Sequence, residues 1–168
     1  MRNYLCAALP LALALTLLSC SADETIENIP ANDTSALLVQ DYTYNSDELQ
    51  LADAINKHRQ SLALEPLEII DYVSLQSEQH TEYMIANHAI NHDNFEARAH
   101  DITDAIGASN VNENVAYNYA TAASVLHAWL NSPDHRANIE GDFTNFGFSI
   151  RIDPETGKKY YTSIFLKK

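Results

Sequence analysis

Cysteine is scarce in this chain. The 168 residues hold two, Cys6 and Cys20, and both lie in the first twenty. Everything beyond Cys20 must fold without a disulfide, on its hydrophobic core alone, and no cysteine nucleophile is available there. Basic residues are also few: 10 Lys and Arg stand against 23 Asp and Glu, a formal charge of −13. Such a surface repels nucleic acid and anionic headgroups, so no nucleic-acid partner is expected. Its simplest role is to keep an exported domain soluble. No serine sits in a G-x-S-x-G setting, which argues against a covalent serine hydrolase. No internal repeat is visible.

What is present begins with a leader. Arg2 precedes an apolar, uncharged run over residues 5–18. That is the layout of a secretory signal, and the run is short for a membrane span. Leu17, Leu18 and Ser19 before Cys20 resemble a bacterial lipobox, in which cleavage precedes a cysteine that carries the lipid. The alternative is an ordinary secretory signal with an incidental cysteine. On the lipobox reading, residues 1–19 are a lipoprotein signal peptide and Cys20 is lipidated. Residues 20–44 are then an acidic tether, and 45–168 form one domain. Loss of Arg2 with the leader takes the charge to −14 over 149 residues, enough for a real core. The protein is then expected outside the cytoplasm, in the periplasm or at the cell surface, held to a membrane through its N-terminal lipid.

Within the domain, Asn45 followed three places later by Glu48 predicts a capping box. Leu51, Ala52, Ile55, Arg59 and Leu62 fall at helical spacing, with the helix ending near Ser61–Ala63 before Pro66. A second helix is predicted from Asp71 to about His88, although Gln76 to Glu82 is almost wholly polar. Residues 93–110 read as an irregular loop with one short helix at most. Thr121 to Asn131 is a clear helix, with Ala122, Val125, Leu126 and Trp129 on one stripe. Ser132, Pro133 and Asp134 predict the next helix start, with Ser132 as N-cap and Gly141 closing it. Phe146, Phe148, Ile150 and Ile152 alternate along a half-buried strand, and Lys159 to Leu166 returns after a turn at 153–157. This mixture predicts an α+β or layered α-β-α domain.

Seven histidines invite sorting. His58, His80, His100 and His127 have no partner at a telling spacing, and each reads as a surface or core-edge side chain. His88 and His92 are four apart, a metal-pair spacing if a helix continues that far, but the intervening sequence reads as a helix end. Glu113 lies between Asn112 and Asn114 before a β-favouring stretch. His135 sits at the third position of its helix, where the backbone N–H groups disfavour protonation and Asp134 favours it. Tyr117 and Tyr119 alternate and would share one face of a strand.

Four motifs in order resemble the CAP superfamily of cysteine-rich secretory proteins, venom antigen 5 and plant pathogenesis-related proteins, in its bacterial SCP-like exported branch. They span about residues 47–168. The first runs from Leu51 to Arg59, with Pro66 following. The second is Met84 with Ile90, Asn91, His92 and Arg98. The third is Gly107 with Glu113, Asn114, Val115 and Ala116. The fourth is Trp129 with Ser132, Pro133, His135, Arg136 and Asn138, then Phe146, Gly147 and Phe148. The resemblance implies a three-layer α-β-α sandwich with a largely antiparallel central sheet and a broad cleft. Animal and plant relatives line that cleft with two His and two Glu. Here His92 matches the first His and Glu113 the first Glu. The second Glu position is Ser132, and His135 belongs to the bacterial pattern.

The cleft set this implies is His92, Glu113 and His135. Two imidazoles and a carboxylate could hold a divalent metal such as zinc and leave a position for water. The same trio could act without metal, Glu113 orienting a histidine as a base. Three functions follow: a binding module for a small ligand, a lipid or an envelope component; a metal-assisted or acid–base hydrolase of peptide or envelope polymer; and an interaction protein whose cleft residues stabilise the fold.

Overall fold

A computed structural model describes residues 41–168. The leader, Cys20 and most of the tether lie outside the described residues, so the lipid-anchor expectation stays with the sequence. The domain begins with helix α1 (Ser46–Ser61), then strand β1 (Glu68–Ile69) and helices α2 (Asp71–Ala86) and α3 (Phe95–Ile106). Strand β2 (Asn110–Tyr117) and helices α4 (Ala122–Leu130) and α5 (Pro133–Glu140) follow, and the hairpin β3 (Asn145–Ile152) and β4 (Lys159–Lys167) completes it. The sheet order is β1-β3-β4-β2, antiparallel except for the parallel β1–β3 pair. That is the expected three-layer α+β architecture.

The capping box of α1 forms: Asn45 accepts from the Glu48 N–H and Glu48 accepts from the Asn45 N–H. Leu51, Ala52 and Ile55 of α1 are buried with the α4 stripe of Ala122, Val125, Leu126 and Trp129. They meet Phe146, Phe148 and Ile150 of β3 and Tyr161 and Phe165 of β4. On the opposite face Tyr72 and Val73 of α2 and Ile102 of α3 pack on Ile164 and Leu166. Helices therefore cover both faces, and β3 is buried on both sides along most of its length, not half-buried as its alternation predicts. Only its end escapes, with Arg151 partly buried and Ile152 at 58 % exposure.

The polar middle of α2 is real and buried. Ser74, Ser77, His80 and Thr81 point into the structure. Ser77 and Thr81 return their hydroxyls to carbonyls one turn back, and Thr81 Oγ1 accepts from the Thr162 hydroxyl at 2.8 Å. Small side chains let the helix sit close on the sheet. A Cβ on Gly147 of β3 would stand 2.4 Å from the Ser74 nitrogen, so only glycine fits there.

Some expectations need correction. The segment at 93–110 is chiefly α3, twelve residues ending at Gly107 in the left-handed conformation (φ 77°). Its inward face holds Ile102, with Ala105 and Ile106 packed alongside, and Arg98 one turn before Ile102. Ser132 occupies the N-cap position of α5 but its side chain makes no capping bond. Gly141 does close α5, in extended backbone; a Cβ there would lie 2.5 Å from the Ala137 carbonyl oxygen. Tyr117 and Tyr119 do not share a face. Asn118 between them has φ 63°, so Tyr117 packs on Tyr160 and Tyr119 turns towards Tyr161 in the other layer.

Candidate functional site

Glu113 is the centre of the site. It points from β2 towards α2 and α3, and only 1 % of its side chain is exposed. Burying a carboxylate is unfavourable unless it is paired and hydrogen-bonded. Arg98, one turn into α3, supplies this with Nε at 3.1 Å from Oε2 and Nη2 at 2.8 Å from Oε2 and 3.0 Å from Oε1. A forked guanidinium is suited to such two-point contact, which fixes the carboxylate plane.

His92 completes the contact from the loop between α2 and α3. Its Nδ1 lies 2.8 Å from Glu113 Oε1, and 49 % of its side chain is exposed. An ionised carboxylate only accepts, so Nδ1 carries the hydrogen and Nε2 is left on the open side. That loop turns on two left-handed residues, His88 (φ 48°) and Asn94 (φ 59°), and α2 stops at Ala86. His88 and His92 therefore do not share a helical face, and the four-residue spacing has no metal meaning.

Two buried groups hold the loop from below. Arg98 Nη1 donates to the Asp93 carbonyl at 2.8 Å, and His80 Nε2 donates to the Asn91 carbonyl at 2.8 Å. His80 is 2 % exposed, stacks near Tyr83, and has Nε2 3.7 Å from Glu113 Oε1. Its Nδ1 is buried without a partner among the described residues. Burial lowers the His80 pKa, with Glu113 opposing and Arg98 and His92 reinforcing the shift, so its neutral form is favoured. Sequence spacing missed His80, because it sits in the polar middle of α2, twelve residues before His92.

The other wall is α5. Asn138 donates to Asn114 Oδ1 at 2.8 Å and accepts from Asn112 Nδ2 at 2.8 Å, while Asn114 Nδ2 reaches the His135 carbonyl at 3.0 Å. This amide ladder fastens α5 to β2 and explains why asparagines recur in both motifs. Arg59 of α1 secures the far end, donating to the carbonyls of Ile139, Gly141 and Phe143. Trp129 Nε1 donates to the Val115 carbonyl at 3.1 Å.

Between the walls lies a cleft of about 450 Å³, lined by His92, Phe95, Asn112, Glu113, Asp134, Ala137 and Asn138. Of the sequence trio, His92 and Glu113 are joined directly. His135 is half-buried on α5 and bonds neither. Burial lowers its pKa, the neighbouring His92 adds to that, and Asp134 opposes. The trio does not gather as a metal centre: among the described residues no three His, Cys, Asp or Glu side chains form such a group. Glu113, the carboxylate such a site needs, is already held at both oxygens by Arg98. With Arg98 on both oxygens Glu113 is not free to be a ligand, so the three-ligand zinc site expected from His92, Glu113 and His135 does not assemble among the described residues.

The comparisons agree with this architecture. An uncharacterized membrane protein, YlbC, of Bacillus subtilis is 29% identical over 129 residues, which is 73% of this chain and 35% of that protein. The chain thus spans about a third of that relative's length. An outer surface protein of Borrelia burgdorferi superposes with a TM-score of 0.68 at 22% identity, covering 77% of this chain and 98% of its own. An extracellular SCP-domain protein of Bacillus anthracis gives 0.65 at 25% identity, over 74% of this chain and 41% of its own. Residues 52–165 match the CAP cysteine-rich secretory protein family, and the chain belongs to that family.

Proposed function

We propose that this protein is an extracytoplasmic CAP-domain binding module whose cleft between the His92 loop and α5 holds a small ligand, lipid or envelope component. The observation that carries this reading is the double engagement of Glu113 by Arg98. The carboxylate is a fixed part of a rigid wall, and what the cleft offers a visitor is the outer edge of His92 with the amides of Asn112 and Asn138. None of the seven lining residues is Ser, Thr or Cys, so the cleft has no ready nucleophile. Export is supported by the leader sequence and by the extracellular and outer-surface descriptions of structural relatives. No helix among the described residues is long and apolar enough to cross a membrane. Lipidation of Cys20 would supply the anchor.

A second reading has one observation in its favour. The Glu113–His92 contact at 2.8 Å is the pairing by which a carboxylate orients a histidine base, which would suit hydrolysis through an activated water. Arg98 neutralises that carboxylate, and this places binding ahead of hydrolysis.

The test is a screen of muropeptides, phospholipid headgroups and short peptides against the full chain and against His92→Ala, followed by chemical analysis of what was bound. A ligand at about 100 times its Kd raises stability by about 2.7 kcal/mol, visible as a Tm shift. The binding reading expects such a shift, diminished in His92→Ala, with the ligand recovered intact after prolonged incubation. Recovery of a cleaved product would move the assignment to the hydrolase, and no hit across the three classes would overturn both.

A further inference from the structure

We infer that the cleft takes its ligand as an added strand: an extended peptide of alternating apolar and basic residues pairing with the open Val111–Glu113 stretch of the β2 edge. This rests on the binding reading and names its ligand class.

β2 is the outer strand of the sheet, bonded to β4 on one side only. The phase of that pairing is set by Asn118, whose N–H donates to the Lys159 carbonyl at 2.7 Å. Stepping by two along the antiparallel register, the even-numbered residues of β2 bond β4, and the backbone groups of Val111, Glu113 and Val115 point away from it. Side chains confirm the direction: Trp129 meets the Val115 carbonyl at 3.1 Å and Asn138 reaches the Glu113 carbonyl at 3.4 Å. Among the described residues nothing bonds the Val111 N–H and carbonyl or the Glu113 N–H. Asn138 and Trp129 thus take the Glu113 and Val115 carbonyls, and the open part of the edge is the short stretch from Val111 to the Glu113 N–H; an open strand edge is a template for another chain.

The surroundings fit a strand. The cleft is floored by Asn112 and Glu113, with His92 and Phe95 on the side of one helical layer and Asp134, Ala137 and Asn138 on the other. A peptide lying along the edge would send successive side chains alternately towards these two walls. One wall offers the Phe95 ring. The other offers Asp134, an exposed carboxylate. No Lys or Arg lines the cleft, and Glu113 is already neutralised by Arg98. Apolar residues towards Phe95 and basic ones towards Asp134 are the complementary pattern, and the −13 net charge attracts such a peptide.

The experiment follows the backbone amide signals of the full chain, in mild detergent, by NMR. It uses a capped hexapeptide of alternating Val and Lys, its Val and Glu counterpart, and two versions of the basic peptide N-methylated on alternate amides. The Val–Lys peptide should shift the Val111 and Glu113 amides and slow their hydrogen exchange, and bind about tenfold or more tightly than the acidic one. One N-methylated version should lose about tenfold or more of its affinity and the other retain it, because only alternate amides face β2. Unmoved Val111 and Glu113 amides, or equal binding of the two methylated versions, would overturn the strand-addition proposal. A cleft ligand from the broader screen that leaves those amides still would sink this proposal alone, whereas failure of every ligand class sinks the binding reading with it.

Discussion

Arg98 and Glu113 illustrate how a buried pair can be essential without being a source of net stability. Each loses its hydration on folding, and their attraction with the added hydrogen bonds roughly offsets that loss. Removing one partner is different. Glu113→Ala leaves a buried guanidinium facing an apolar void, and the expected cost is about 3–5 kcal/mol in denaturant unfolding. Replacing both, as Glu113→Leu with Arg98→Met, should recover most of it. His80 gives a second expectation. Its folded pKa lies below the ordinary 6.5, chiefly through burial. The unfolded chain therefore binds a proton that the folded chain refuses, and stability falls as pH drops below about 6.5 until the folded pKa is reached. In His80→Gln this part of the pH profile, read from unfolding midpoints between about pH 7 and 5, should flatten. Of these residues, His92 and Glu113 are legible in the sequence through the motifs around them. His80 is not, because its partners are a loop carbonyl and a carboxylate brought in by β2, contacts with no local spacing.

At the scale of elements, the helices with apolar stripes and good caps could be read directly: α1 from its capping box, α4 from Val125, Leu126 and Trp129. Two of the elements that build the site, α2 and α3, were harder to read. α2 buries Ser74, Ser77 and Thr81, so much of its inward face is polar and satisfied internally, while α3 buries Arg98 for the site beside the apolar Ile102, with Ala105 and Ile106 packed alongside. Hydrophobic periodicity detects only faces that are buried for being apolar. The close seat of α2 on β3 makes a prediction of its own. Gly147→Ala would drive a methyl carbon to 2.4 Å from the Ser74 nitrogen and 2.5 Å from the Val73 carbonyl carbon. Backbone must give way at both points, and the cost should reach about 3 kcal/mol or more in unfolding free energy. A loss below about 1 kcal/mol would mean that α2 does not sit this close.

For the molecule as a whole, the sandwich places a sheet edge between two helical layers and leaves its Asn112–Glu113 stretch open to a cleft. The layered α+β class was readable from the mixture of helices and hairpin. The cleft was readable only through family resemblance, since its walls come from segments far apart in the chain. What resemblance could not supply was the state of the carboxylate: three charged or titratable groups, Arg98, His92 and His80, converge on Glu113, and Arg98 decides the outcome. On the proposed binding function, this cluster fixes His92 so that its Nε2 edge meets the ligand. The direct measurement is a long-range nitrogen–proton NMR spectrum of the imidazole rings in the full chain. It is recorded above the ordinary titration range of histidine, at about pH 8, with and without a ligand found by the screen. The expectation is a His92 ring protonated at Nδ1, with an Nε2 signal that moves on ligand addition and stays unaffected by added zinc. A ring protonated at Nε2, or an Nε2 that answers to zinc and ignores the ligand, would contradict it.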